Sequence, residues 1–283
     1  MLPAGRAAPM ILIDMHVHSR YSDGTLTPGQ IAHEARRRGL ALLALTDHDT
    51  TAGLAPFMRS CAGEGIKGVC GIELSAEAPF TLHILGYRIS PGAGELEARL
   101  DYIRERRDAR NLLICEKLRA LGVDIDIEEA REISGGYVVA RPHIARLLIN
   151  KGYAGIVAEA FTKYLGRGAA AYVACERFSA EECISLIRGA GGVAVLAHPF
   201  QCRLDDEGLE ALLFRLKDAG LWGIEAVYGA NSPETTYRHL KMARKFGLFT
   251  TAGSDFHGGN SPGVELGIPV SEDILPWARL GIR

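Results

Sequence analysis

The six cysteines contain no Cys-x-x-Cys pair; they are scattered at positions 61, 70, 115, 175, 183 and 202. That spacing offers neither a zinc ribbon nor a disulfide framework, and the thiols read as reduced and mostly buried. Charge of one sign is lacking as well. A net charge of −2 and a pI near 6.5 give no field for wrapping nucleic acid or lying on a membrane, although a locally basic pocket is still allowed. No uninterrupted apolar run approaches a membrane span, and residues 1–9 lack the apolar centre of a signal peptide. The expectation is a soluble cytoplasmic protein with a flexible tail over 1–9, no membrane association and no obligate protein partner. A Walker loop is absent, as is a Gly-x-Gly-x-x-Gly following a strand, which removes the marks of P-loop and dinucleotide enzymes. What the 283 residues do have is a 47% hydrophobic composition, enough for one large core or one core with an inserted subdomain.

Apolar, strand-like runs recur at 11–18, 40–46, 68–74, 81–87, 193–197, 223–228 and 248–253, with helical segments between them. The alternation predicts a parallel α/β core. Helix starts are marked by Thr27-Pro28, by Ser179 with Glu182 three residues on, and by Ser232-Pro233; stops are marked by Gly39, Gly189 and Gly247. Candidate ligands at or just past the strands' C-terminal ends point to a barrel with its site at that end, an open doubly wound sheet being the competitor. The rhythm changes at about residue 91, which divides the chain into 10–90, a helical insertion over 91–171, and 172–283. A long helix expected over 95–121 carries Arg99, Arg104, Arg106, Arg107 and Arg110 interleaved with Glu97, Asp101, Glu105 and Asp108. This reads as a solvated, salt-bridged face.

Ligand-type side chains gather at the strand ends. Asp14-Met15-His16-Val17-His18 places His16 and His18 on one face of an extended segment, so that two imidazoles can grip one ion, with Asp14 on the same face. Asp23 follows in Ser22-Asp23-Gly24, His48 in Thr46-Asp47-His48-Asp49, Glu73 in Gly71-Ile72-Glu73, and His83 in Leu82-His83-Ile84-Leu85-Gly86. His198 lies in Ala197-His198-Pro199, and Asp255 and His257 lie in Gly253-Ser254-Asp255-Phe256-His257. Imidazole and carboxylate without thiolate suit Zn²⁺, Mn²⁺ or Fe²⁺. The set exceeds what one ion can use; it fits two or three divalent ions with positions open for water and substrate. Such ions lower the pKa of bound water to roughly 7 and neutralise charge on oxygen, so phosphate-ester hydrolysis by a metal-bound hydroxide is their natural use. Asp14, Asp47 and Asp49 either orient imidazoles or cap turns, helix capping being the simpler account of Asp49. His33 and His239, in polar helical stretches, read as surface residues. Tyr228, Asn231 and Ser232 read as lining the mouth of the site, and Ser232 is also explained as a helix cap.

Taken in order over 13–267, Asp-x-His-x-His, Ser-Asp-Gly, Thr-Asp-His-Asp, Gly-Ile-Glu, Leu-His-Ile-Leu-Gly, Ala-His-Pro and Gly-Ser-Asp-Phe-His resemble the PHP superfamily, named for polymerase and histidinol phosphatase domains. The resemblance implies an α/β fold, a distorted seven-stranded (β/α)7 barrel with a helical insertion, and a trinuclear centre. One ion would take His16, His18, Glu73 and Asp255; a second would take Glu73, His83 and His198; a third would take Asp23, His48 and His257. Manganese is the implied metal, with Zn²⁺, Fe²⁺ and Mg²⁺ as alternatives. In the insertion, Arg141-Pro142-His143-Ile144-Ala145-Arg146, residues 161–168 and Ala171-Tyr172-Val173 resemble the branch that acts on nucleotides. There Arg141 and His143 would reach the substrate's phosphate, with Lys163 as a further contact. Related sequences carry Gly-Lys-Pro or Gly-Lys-Thr where this chain has Gly168-Ala169-Ala170, and Arg167 is the expected replacement. The implied function is hydrolysis of a phosphomonoester of a small nucleotide, first the 3′-phosphate of nucleoside 3′,5′-bisphosphates. A metal-bound water or His198 would give the departing oxygen its proton. The alternatives are a 5′-to-3′ exoribonuclease on short 5′-phosphorylated RNAs and a non-catalytic metal-binding regulatory module.

Overall fold

In the computed structural model residues 9–135, 138–274, 276 and 280 are described; apart from Pro9, the expected tail lies outside them. All seven expected strands form: β1 (Met10–Asp14), β2 (Leu42–Leu45), β3 (Lys67–Ser75), β4 (His83–Tyr87), β5 (Val193–Leu196), β6 (Gly223–Tyr228) and β7 (Phe249–Gly253). An eighth, β8 (Ile268–Ser271), pairs antiparallel with β1. Its Pro269 argues against a strand by sequence, and a sheet edge is where proline is tolerated. The strands form one sheet in the order β7-β6-β5-β4-β3-β2-β1-β8. Beyond β1 the chain stays extended and meets the β7 side: the Met15 amide donates to the Ala252 carbonyl, and Val17 bridges Phe256. The sheet thereby curls into a nearly closed barrel.

The expected parallel core is corrected at β4, which runs antiparallel to both β3 and β5. The physical reason is the connection over 76–82, which is too short for the crossover that a parallel neighbour needs. Alternation along the strands sorts the apolar residues. Leu42 and Ala44 join Ile13, Leu85, Tyr87 and Val195 inside the barrel, whereas Leu43 and Leu45 face the surrounding helices.

Those helices are α1 (Pro28–Arg38), α2 (Leu54–Glu64), α7 (Ala180–Gly189), α8 (Asp206–Asp218) and α9 (Pro233–Phe246). Thr27, Ser179 and Ser232 cap α1, α7 and α9, and Gly39 and Gly247 end α1 and α9 in the left-handed conformation. At α7 the stop lies one step later than expected: Gly189 is the last helical residue, Ala190 is the cap, and the positive φ belongs to Gly191. His33 is exposed beside Glu64, as expected, but His239 is fully buried. Its position on α9 puts it on the inward stripe with Met242 and Ala243, three and four residues on.

The insertion supplies α3 (Gly94–Ala120), α4 (Ile127–Ile133), α5 (Arg141–Asn150), α6 (Val157–Ala160) and a π-helical turn at Phe161–Leu165. It has its own apolar core, in which Ile114, Leu118, Ile144, Leu148 and Leu165 are buried. Helix α3 belongs to both cores, because Leu96, Leu100 and Ile103 at its start pack on the barrel's helices. No helix among the described residues is long and apolar enough to cross a membrane.

Candidate metal centre and the arginine cavity beside it

Nine expected ligands meet at one rim of the barrel. His16, His18, His48, His198, Asp255 and His257 follow the C-terminal ends of β1, β2, β5 and β7. Asp23 comes from the turn after β1, and Glu73 lies within β3 with its side chain to the interior. The reversal of β4 matters here, because it puts that strand's first residue, His83, at the same rim. Glu73 is the hub. Its Oε2 stands 3.2 Å from His16 Nε2, 3.2 Å from His18 Nε2 and 3.1 Å from His48 Nδ1; its Oε1 stands 2.8 Å from His83 Nδ1 and 2.9 Å from His198 Nε2. Asp255 Oδ1 reaches His16 and His18 at 3.4 and 3.3 Å, and Asp23 Oδ1 reaches His257 Nε2 at 3.2 Å. Within 4.8 Å, ligand atoms group as His16, His18, Glu73 and Asp255; as His18, Asp23, His48 and His257; and as His48, Glu73 and His83.

Divalent cations fit this cluster. His16 Nε2, both ring nitrogens of His18, Asp23 Oδ1, His48 Nδ1, Glu73 Oε2 and His198 Nδ1 are buried without a well-formed hydrogen bond. Buried polar atoms normally find partners, so orphans packed in one place need another electrophile. The charges agree. Burial opposes ionisation, yet the imidazoles hold the Glu73, Asp23 and Asp255 carboxyls well below the usual range. Burial likewise opposes a charged His18, but Asp255 and Glu73 push it up to about 10. His48 goes the other way, down to about 4, through burial. The carboxylates thus draw positive charge into a dry site.

The supporting residues were only partly foreseen. Glu225, buried on β6, was missed; it holds His16 Nδ1 between its two oxygens at 3.1 and 3.2 Å and accepts from the His198 amide at 2.7 Å. Its signal was an acid inside an apolar strand. Asp14 touches no imidazole ring. It accepts from the Ser254 amide and hydroxyl and from the Gly267 amide, tying β1 to the loops after β7, while burial pushes its carboxyl up to about 6. Asp47 accepts from Ser19 and Ser22 and so fixes the turn that carries Asp23. Asp49 is not a helix cap: α2 starts after Gly53 without a side-chain cap, and Asp49 pairs with Arg107 and accepts from the Ser75 amide. Tyr228 does reach the site, its hydroxyl donating to Asp255 Oδ2 at 3.2 Å. Asn231 instead turns to the Ala226 carbonyl and to His239.

Next to His83 opens a cavity of about 310 Å³ lined by Arg141, Arg167, Arg177, Tyr172 and Glu77 among others. Arg141 donates to the Leu165 carbonyl with its guanidinium over the Tyr172 ring, and Arg177 donates to the Ala76 carbonyl. Behind them Arg110 is buried and, among the described residues, bonded only to Asn111 Oδ1; burial, with Arg141, Arg107 and Arg177 nearby, pushes it down to about 9. Arg107 is also buried. The solvated face expected on α3 therefore holds for Arg99, Arg104 and Arg106 and fails for Arg107 and Arg110. They share the helix stripe of Ile103 and Ile114, which turns inward because α3 lies across the insert. Arg167 lines the cavity, 3.9 Å from Glu77, whereas Lys163 is exposed over the Tyr164 ring and does not line it. His143 faces a different groove.

Residues 14–164 match the family model described as PHP domain. The chain belongs to the PHP family. It is 37% identical over 272 residues to the 3′,5′-nucleoside bisphosphate phosphatase of Chromobacterium violaceum, covering 95% of each chain. It is 34% identical over 260 residues to the 5′-3′ exoribonuclease Rnm of Escherichia coli, covering 91% of this chain and 88% of that one. A solved structure of a metal-dependent phosphoesterase from Bifidobacterium adolescentis matches with a TM-score of 0.82 at 30% identity over 94% of each chain. This PHP protein is an enzyme, a metal-dependent phosphoesterase with a barrel-shaped α/β fold.

Proposed function

We propose that the enzyme removes the 3′-phosphate from nucleoside 3′,5′-bisphosphates. The observation that carries this reading is the arginine cavity, a second place for an anion beside a centre that itself attracts one. Among the described residues Arg141 and Arg177 have no carboxylate partner, and burial holds the Arg141 pKa below its usual value. A substrate 5′-phosphate arriving there forms charge-assisted hydrogen bonds and relieves the buried guanidinium charge. The Tyr172 ring and the Leu165 carbonyl keep the Arg141 fork in place for it. With that phosphate held, the ribose directs its 3′-phosphate to the His83 side of the rim, a positioning that converts binding energy into rate.

Two or three divalent ions, manganese first, would be held by His16, His18, Asp23, His48, Glu73, His83, His198, Asp255 and His257. They supply a water activated at neutral pH and offset charge on the phosphoryl oxygens. The chain's own residues keep that arrangement rigid: Glu225 fixes the His16 ring and the His198 main chain, and Tyr228 steadies Asp255. His198 acts as a ligand in this reading rather than as the proton donor, because its Nε2 is committed to Glu73 and His83. The test is phosphate release by the manganese-loaded enzyme from a nucleoside 3′,5′-bisphosphate, the 3′-monophosphate and histidinol phosphate. The bisphosphate should be turned over with the highest kcat/KM; equal values for all three would sink the reading.

A further inference from the structure

A guanidinium buried without a counter-charge is costly, because its desolvation exceeds what a neutral hydrogen-bond partner returns. Arg110 on α3 is 6% exposed, and among the described residues it has no carboxylate partner. Its Nε and Nη2 both donate to Asn111 Oδ1, at 3.2 and 2.7 Å. Asn111 is itself fully buried and donates to the Val139 carbonyl at 2.8 Å, just before the start of α5 and its Arg141. The neighbouring Arg107 differs, since Asp49 neutralises it. Arg110 sits among further positive charge instead: burial and the Arg141, Arg107 and Arg177 guanidiniums lower its pKa to about 9, so it stays charged at neutral pH. An apolar side chain of similar size would cost the fold less. The chain nevertheless keeps a cation behind Arg141 and Arg177, the two guanidiniums on the cavity wall.

We propose that Arg110 is a positioning residue for the substrate's 5′-phosphate, its unbalanced charge being completed by the dianion that enters the cavity. The inference rests on the placement of that phosphate beside Arg141 and Arg177. No contact between Arg110 and substrate is required, because charge–charge attraction acts over several ångströms where little water intervenes. In the empty protein the charge opposes folding; in the complex the phosphate is its counter-ion. Binding thus relieves a strain carried by the fold, and affinity for the second phosphate rises without an added contact.

The experiment uses manganese-loaded wild type, Arg110→Met, Arg110→Gln and Arg141→Ala. Methionine fills the site without a charge; glutamine is also neutral but can still donate to Asn111 Oδ1. Kinetics on a nucleoside 3′,5′-bisphosphate and on the 3′-monophosphate are paired with thermal unfolding, with and without a nucleoside 5′-monophosphate. In both Arg110 variants the bisphosphate-to-monophosphate ratio of kcat/KM should fall about tenfold, through KM. Without nucleotide, Arg110→Met should unfold at a higher temperature than wild type, and the nucleotide should raise its Tm by less. A ratio kept in Arg110→Gln reduces Arg110 to a support for Asn111 and overturns the proposal. A lower Tm in Arg110→Met with an undiminished nucleotide shift does the same. A ratio that falls in Arg141→Ala alone overturns the role of Arg110 and leaves the phosphate placement standing; a ratio that falls in no variant overturns both.

Discussion

The barrel rim and the helical insert face each other across the mouth of the site, yet they are built on different principles. At the rim most ligands follow strand ends, five of the nine are buried, and several of their polar atoms lack protein partners. In and beside the insert, guanidinium groups rest on main-chain carbonyls and on one aromatic ring, with Arg141 half-buried and Arg167 exposed. The rim is made for ions of fixed geometry. In the proposed reading the insert serves anions that come and go. Chemistry and substrate choice should therefore separate by region when residues are changed.

The largest effect is expected at the hub. Glu73→Gln keeps the volume but removes the charge shared by five imidazoles, and turnover should fall by about 10³-fold or more because several kcal/mol of metal-derived stabilisation go with it. Bound metal, read by elemental analysis of the folded protein, should fall in parallel; a metal-replete, active variant would erase the distinction between rim and insert. Next comes Glu225→Gln, which loosens the His16 ring and the His198 main chain without removing a ligand. An effect of about 10–100-fold on metal affinity is expected from residues in this role. Titration of the apo-protein with manganese checks it, and unaltered affinity would reduce Glu225 to a structural acid.

How far each region could be read in advance follows the same divide. Two-residue periodicity in extended chain placed His16 and His18 together, and short motifs placed the other ligands at strand ends, because those relations are local. The direction of β4 was not legible, since it depends on the turn over 76–82 and not on the apolar run itself. β8 hid behind Pro269. In the insert, the same helical pattern produced the exposed Arg106 and the buried Arg110, and only the docking of α3 tells them apart. Arg177 and Glu225 drew no attention because each sits singly in a stretch without a motif. Lys163 belonged to a matching stretch, yet the chain turns it outward.

A smaller effect should come from burial alone. His239 is buried against Asn231, and burial pushes its pKa down to about 4. A depressed histidine contributes stability that is full above its unfolded pKa near 6.5 and is lost as the pH falls towards 4. Replacing it with Leu should remove about 1–2 kcal/mol of the stability difference between pH 7 and pH 5. Urea denaturation at the two pH values reads this directly. An identical pH dependence in wild type and variant would show that the imidazole is hydrated or charged in the fold.

The division of labour is tested most directly by a cycle on Arg141 and the substrate's 5′-phosphate, using kcat/KM for manganese-loaded wild type and Arg141→Ala on a nucleoside 3′,5′-bisphosphate and on the 3′-monophosphate. With a charged hydrogen bond worth about 1.5–3 kcal/mol, the variant should lose about 10–100-fold on the bisphosphate and change little on the monophosphate. Equal losses on both substrates, or none on either, would contradict the assignment of the second phosphate to the insert.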